Sequence, residues 1–174
     1  MTLDTTDATL PPVGALLRGP ALMLRHEVMN DLYEAGIDDV LPAHLAVFQH
    51  LGPDGQRPGV LAMRTRTSKQ AMNHLLHQLE SSGYIRRDSH PEDRRARVVR
   101  LTERGWSAHS VIQQTTARLE REWHQALGED VYGGLSNALD RLQDVLETQR
   151  RRTADPQNNC AVASRRLAGP GRVG

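Results

Sequence analysis

Residues 86–105 read RRDSHPEDRRARVVRLTERG, in which seven arginines and four acids surround one proline and a short apolar run. Tyr84–Arg87 and Ala96–Leu101 fit two short strands around the turn-forming SHPED, so the stretch predicts a β-hairpin. Its charge poses the question that decides the fold: a solvated surface loop, or an arm that grips something anionic. The neighbouring elements answer it.

Upstream, Pro58 at a first helical position opens a short third helix carrying Val60, Leu61 and Met63. Thr67-Ser-Lys-Gln70 fits a capping box at the start of a fourth helix, with Thr67 as the cap. Met72, Leu75, Leu76 and Leu79 follow at i, i+3, i+4 and i+7, and Gly83 closes the helix. Before these, Pro42 opens a short second helix, AHLAVFQHL, and GPDG at 52–55 is a turn. A first helix spans Val13 to Ala35, bent or restarted at Pro20 and stopped by Gly36. Downstream of the hairpin, Thr102 caps a fifth helix that runs to Leu127, and Gly128 breaks it. A sixth helix carries Val131, Leu135, Leu139, Leu142 and Leu146 along one stripe. Residues 1–12 read as a disordered lead-in, and the chain loses its apolar period from Thr148, so 148–174 read as a disordered tail.

The order short helix, turn, helix, arginine-loaded hairpin is that of a winged helix-turn-helix, in which one helix enters the DNA major groove and the hairpin reaches to backbone and minor groove. The fold class is therefore mainly α with a small β-hairpin wing (α+β). Around the fourth helix, the face opposite the apolar ridge carries Gln70, Asn73, His74 and His77, with Ser68 and Lys69 at its start. Gln and Asn pair with adenine, and Lys binds guanine or phosphate. Taken alone, such a face also reads as ordinary solvated helix.

Composition agrees. The formal net charge of the 174 residues is only +1, but eleven of the 22 Lys and Arg fall between Arg57 and Arg104 against five of the 21 acids. A basic block inside an otherwise acidic chain points to one face meant for a polyanion. The single cysteine, Cys160, excludes an intramolecular disulfide. The N-terminus lacks the features of a signal peptide and no apolar run is long enough for a bilayer span, so the expectation is a soluble, cytoplasmic protein with no membrane partner.

The motifs SKQAMNHLLHQLESSGYIRR and PEDRRARVVRLTERG resemble those of the MarR (multiple antibiotic resistance regulator) transcription factors, and the resemblance extends over residues 13–147. It implies a winged helix-turn-helix at 41–101 flanked by dimerisation helices at 13–36 and 102–147. It implies that Asp93 braces Arg95, that Arg95 enters the minor groove, and that Arg94 and Arg97 serve phosphates. Physics supports this division, because a carboxylate two residues away can hold an arginine fork in one rotamer. The plainer reading is a surface ion pair contributing about 0–1 kcal/mol.

The apolar stripes of the outer helices cover either the chain's own core or a second copy. The resemblance implies the second: a homodimer whose two readers address a two-fold symmetric site in double-stranded DNA, typically as a repressor released by a small-molecule effector. Arg25, His26, Met29, Phe48, Trp106 and His109 are candidates to line an effector site, and each also reads as a core packer or a backbone-bonded histidine. No cofactor or metal is implied. Cys160 lies in the tail rather than in a cationic pocket, against a thiol switch. His109 is followed four residues on by Gln113 rather than a second histidine, against the zinc-sensing pattern. An enzyme is disfavoured, since no nucleophile elbow, phosphate-binding glycine loop or HExxH pair occurs. A non-specific architectural DNA binder shares the basic wing and stays open.

Overall fold

The computed structural model describes residues 11–89 and 97–154. The elements are α1 (Val13–Glu34), a 3-10 turn (Pro42–His44) that runs into α2 (Leu45–Phe48), α3 (Pro58–Arg64), α4 (Lys69–Ser81), β1 (Ile85–Ser89), β2 (Arg97–Leu101), α5 (Glu103–Leu127) and α6 (Glu129–Ala154). They divide into two compact units, one ending at Glu120 and one beginning at Arg121. No described helix is long and apolar enough to cross a membrane.

The first unit is a winged helix-turn-helix built on the periodicities of the sequence. On α4 the ridge Met72, Leu76 and Leu79 is fully buried and Leu75 packs against the same core. Each such side chain contributes about 1.5–3 kcal/mol of burial. Leu61 and Ala62 of α3, Val47 and Phe48 of α2, and Val28 and Leu32 of α1 close around the ridge. Met63 of α3 is 58% exposed, and Ala62 takes the inward position beside Leu61.

β1 and β2 pair antiparallel from Ile85↔Leu101 to Ser89↔Arg97, as the hairpin reading requires. The bridge Gln56↔Val99 adds a contact that the sequence reading lacked, with Gln56 N donating to Val99 O at 2.9 Å and Val99 N donating to Gln56 O at 2.8 Å. The segment just before α3 thus braces β2.

Two details depart from the sequence reading. The N-cap of α4 is Ser68, whose Oγ accepts from Ala71 N at 3.0 Å, and not Thr67. Thr67 is already engaged in closing α3, since its N–H bonds Ala62 O at 3.0 Å. In addition, α6 runs to Ala154, past the expected end at 147. The apolar period stops there, but Gln and Arg are good helix formers and sustain a helix without burial. Thr102 does cap α5, its Oγ accepting from Gly105 N at 3.1 Å.

A polar node ties the unit together. Tyr84, fully buried, donates its hydroxyl proton to Asp39 and meets Phe48 edge to face at 6.1 Å. Arg104 of α5 clamps Asp39 with bonds of 3.0 and 2.9 Å, lies 4.3 Å over the Tyr84 ring and donates to Ser82 O at the end of α4. Burial alone would raise the Asp39 pKa, but the Tyr84 hydrogen bond and the Arg104 charge outweigh it and hold the carboxyl below 3.8. Asp31 is likewise lowered, first by its 2.6 Å bond from Thr115, against burial, and then by Arg118. Burial and the Asp39 bond push Tyr84 up to about 12.

Depressed carboxyl values stabilise the fold above the unfolded pKa and lose that contribution as pH falls through the folded one. Melting curves should therefore drop on the acid side below about pH 4. Asp39→Asn should melt lower at neutral pH and show a shallower acid limb. An acid limb unchanged by Asp39→Asn would show that this node does not govern it.

Candidate nucleic-acid interface

The face of α4 opposite its buried ridge is open to solvent. Lys69, Gln70, Asn73, His74 and His77 are all exposed there, as is the capping Ser68. A helix anchored by Met72, Leu76 and Leu79 can offer this face without moving, because the side chains that hold it and those that face outward alternate along each turn. Ser68 has a structural duty as well, and only the remaining capacity of its hydroxyl is free for a ligand.

The wing strands look different from their sequence. Arg86 Nε donates to Asp88 at 3.0 Å, Arg100 Nε lies 3.5 Å from the same carboxylate, and Arg100 also donates to Pro53 O at 3.0 Å. Arg87 Nε is 3.2 Å from Glu80, an ion pair whose angle falls short of a hydrogen bond. These three arginines fasten the hairpin to itself, to the 52–55 turn and to the end of α4. Arg97 is exposed and donates to Ser89 Oγ at 3.2 Å. Asp93, Arg94 and Arg95 lie outside the described residues.

Within the reader, residues 41–101, the described cations without a side-chain hydrogen bond or ion pair sit elsewhere. Arg57 stands at the start of α3, Arg64 ends it, Arg66 lies in the turn to α4, and Lys69 begins α4; all four are exposed. Arg64 and burial together hold the His50 pKa below 6.5, burial being the larger cause. The sequence reading missed Arg57, Arg64 and Arg66 as site residues. The signal was present as an absence: from Gly55 to Leu79 there is no acid at all. Charges in such a stretch have no local partner and keep their full field.

The candidate effector residues are distributed as follows. Arg25 and His26 are exposed on α1, with His26 Nε2 3.2 Å from Asn30 Nδ2. Met29 packs against the core, and Phe48 is enclosed within it. Trp106 and His109 meet edge to face at 5.2 Å on α5, and burial lowers the His109 pKa. Among the described residues, no hydrogen bond, ion pair or ring contact joins Arg25, His26 or Met29 to Trp106 or His109. Also among the described residues, no three His, Cys, Asp or Glu side chains converge as metal ligands would.

Residues 38–96, which take in α2 to α4 and the start of the wing, match the MarR family. A protein of Thauera aromatica named as a transcriptional regulatory protein for its hcr operon is 30% identical over 88 residues. That alignment covers 51% of this chain and 53% of the other, so the match spans about half the length of that relative. Among solved structures, the transcriptional regulator PA3341 superposes with a TM-score of 0.65 at 26% identity, covering 79% of this chain and 99% of that one. Streptococcus pneumoniae FabT, solved in complex with DNA, gives 0.65 at 18% identity over 79% of this chain and 96% of that one. At that identity FabT supports the fold alone.

Proposed function

We propose that the chain is a transcriptional regulator of the MarR family, whose pattern its residues 38–96 match, and that it is a homodimeric, sequence-specific regulator of double-stranded DNA, acting as a repressor that a small-molecule effector releases. The observation that carries the reading is the exposed α4 face of Gln70, Asn73, His74 and His77, flanked by four unpaired cations in an acid-free stretch. Polar side chains of this kind discriminate base edges, and unpaired arginines and lysines neutralise phosphates.

In this reading Asn73 and Gln70 read bases in the major groove. Arg95, braced by Asp93, enters the minor groove, while Arg94 and Arg97 hold the backbone. Each unit leaves apolar positions exposed for a second copy: Val13, Leu16, Leu17 and Met23 on α1 in the first, and Leu127 on α5 with Val131, Leu135 and Leu146 on α6 in the second. Two-fold pairing places two readers on successive turns of an inverted repeat. Trp106 and His109 are the strongest of the candidate effector contacts, because an aromatic edge and an imidazole already converge there.

The wing offers a sharp test. Arg95→Ala should weaken binding most on sites with A·T-rich flanks, and Arg95→Lys should recover little, since lysine lacks the fork. Asp93→Ala should also weaken binding, although it removes a negative charge near DNA. Asn73→Ala should cost about 1–3 kcal/mol on the preferred site and relax one base pair per half-site. Titrations on two duplexes differing only in their flanks, with a random duplex of equal length beside them, read all four variants. Tighter binding by Asp93→Ala would mean a diffuse basic patch, and an equal loss on preferred and random DNA would reduce Asn73 to a backbone contact.

A further inference from the structure

Helices α1 and α4 end in the same way. The N–H of Gly36 bonds Tyr33 O at 3.0 Å and that of Ile37 bonds Leu32 O at 2.9 Å. The N–H of Gly83 bonds Glu80 O at 3.0 Å and that of Tyr84 bonds Leu79 O at 2.9 Å. In each the glycine is left-handed, with φ of 75°. This double closure favours glycine because a Cβ is disfavoured at that φ. Helix α3 closes identically, with Arg66 N bonding Met63 O at 3.3 Å and Thr67 N bonding Ala62 O at 3.0 Å. Here, however, the left-handed position holds Arg66, at φ 57°, the one non-glycine with positive φ among the described residues.

Nothing described in the fold uses the arginine. Its side chain is exposed and has no hydrogen bond or ion pair among the described residues. The hydroxyls of the same turn satisfy one another: Thr65 Oγ donates to Leu61 O at 2.8 Å and lies 2.9 Å from Thr67 Oγ. Glycine would serve this turn better, as it does at 36 and 83. A strained residue that the fold does not need is a sign of a role outside it. Arg66 stands in the turn between the two helices of the reader, two residues before the cap of α4 and two after the unpaired Arg64.

We propose that Arg66 is a DNA-backbone contact, a guanidinium held over a phosphate beside the base-reading helix, retained at the expense of turn stability. The inference rests on the DNA-binding reading above and deepens it. A fork of N–H donors matches phosphate oxygens, and such contacts set the register of a reader without carrying sequence information.

The test is Arg66→Gly in the full chain, with Arg66→Lys beside it. Arg66→Gly should melt no lower than wild type, and up to about 4 °C higher. Its affinity for duplex DNA should nonetheless fall by about tenfold, equally on preferred and random sequence, with the salt slope reduced by about one. Arg66→Lys should keep the wild-type salt slope. Unchanged affinity and salt slope in Arg66→Gly would overturn the proposal while leaving the DNA-binding reading intact, as would a lower melting temperature with unchanged binding. A wild-type chain that binds no duplex would overturn both.

Discussion

Gly105→Ala is expected to lower the melting temperature by about 6–12 °C, the equivalent of about 3 kcal/mol. Helix propensity alone predicts the opposite, since alanine inside a helix is favoured over glycine by about 1 kcal/mol. Packing decides the sign. A Cβ on Gly105 would stand 2.0 Å from Tyr84 O and 3.1 Å from Leu101 Cδ2. The obstacle is backbone, and that carbonyl is itself anchored, accepting from Thr102 N at 3.0 Å and Thr102 Oγ at 3.2 Å. Relief would require moving Tyr84, whose ring and hydroxyl hold Phe48, Asp39 and Arg104 in the node that joins α5 to the reader. Thermal melting of the variant checks this directly. A Gly105→Ala chain as stable as wild type would mean that the approach of α5 to Tyr84 is looser than described.

Leu139→Asp should abolish the proposed dimer, raising its dissociation constant by at least about 10³-fold through burial of an uncompensated charge. Two-fold symmetry places the aspartate in the seam twice. Leu139 is half-buried within the single chain, while Val131, Leu135, Leu142 and Leu146 on the same helix are 36–60% exposed. So many large apolar side chains left to solvent along one helix mark an interaction surface. The substitution lies in the second unit, so the reader should stay folded, with helical circular dichroism retained and binding to an inverted repeat lost. Sedimentation at micromolar concentration separates the outcomes. A variant that sediments as a dimer and binds the repeat with wild-type affinity would remove α6 from the interface.

The features most legible in the sequence were those with a strong period or a special residue. Met72, Leu75, Leu76 and Leu79 define α4 and, by exclusion, its outward face. Gly83, Thr102 and Gly128 mark boundaries that the structure keeps. What escaped was set by tertiary context. Thr67 and Ser68 are both good caps, and the choice between them follows from the left-handed Arg66, which uses Thr67 to finish α3. No propensity rule places arginine there. In sequence the arginines of the hairpin look alike; in the fold Arg86 pairs with Asp88 along β1, Arg87 with Glu80 of α4, and Arg100 with Asp88 across the paired strands. The unpaired cations at 57, 64 and 66 were visible as an acid-free stretch, but their grouping about one turn needed the structure.

The central claim is that this chain reads DNA sequence rather than DNA charge. The direct measurement is a competition titration of the full chain, at fixed ionic strength, between an inverted repeat selected from genomic fragments and random duplex of equal length. A dimeric reader with α4 in the major groove should prefer the repeat by about 10³-fold or more, with two chains per duplex. Equal affinity for the two duplexes would contradict the account and leave a basic protein that binds DNA without reading it.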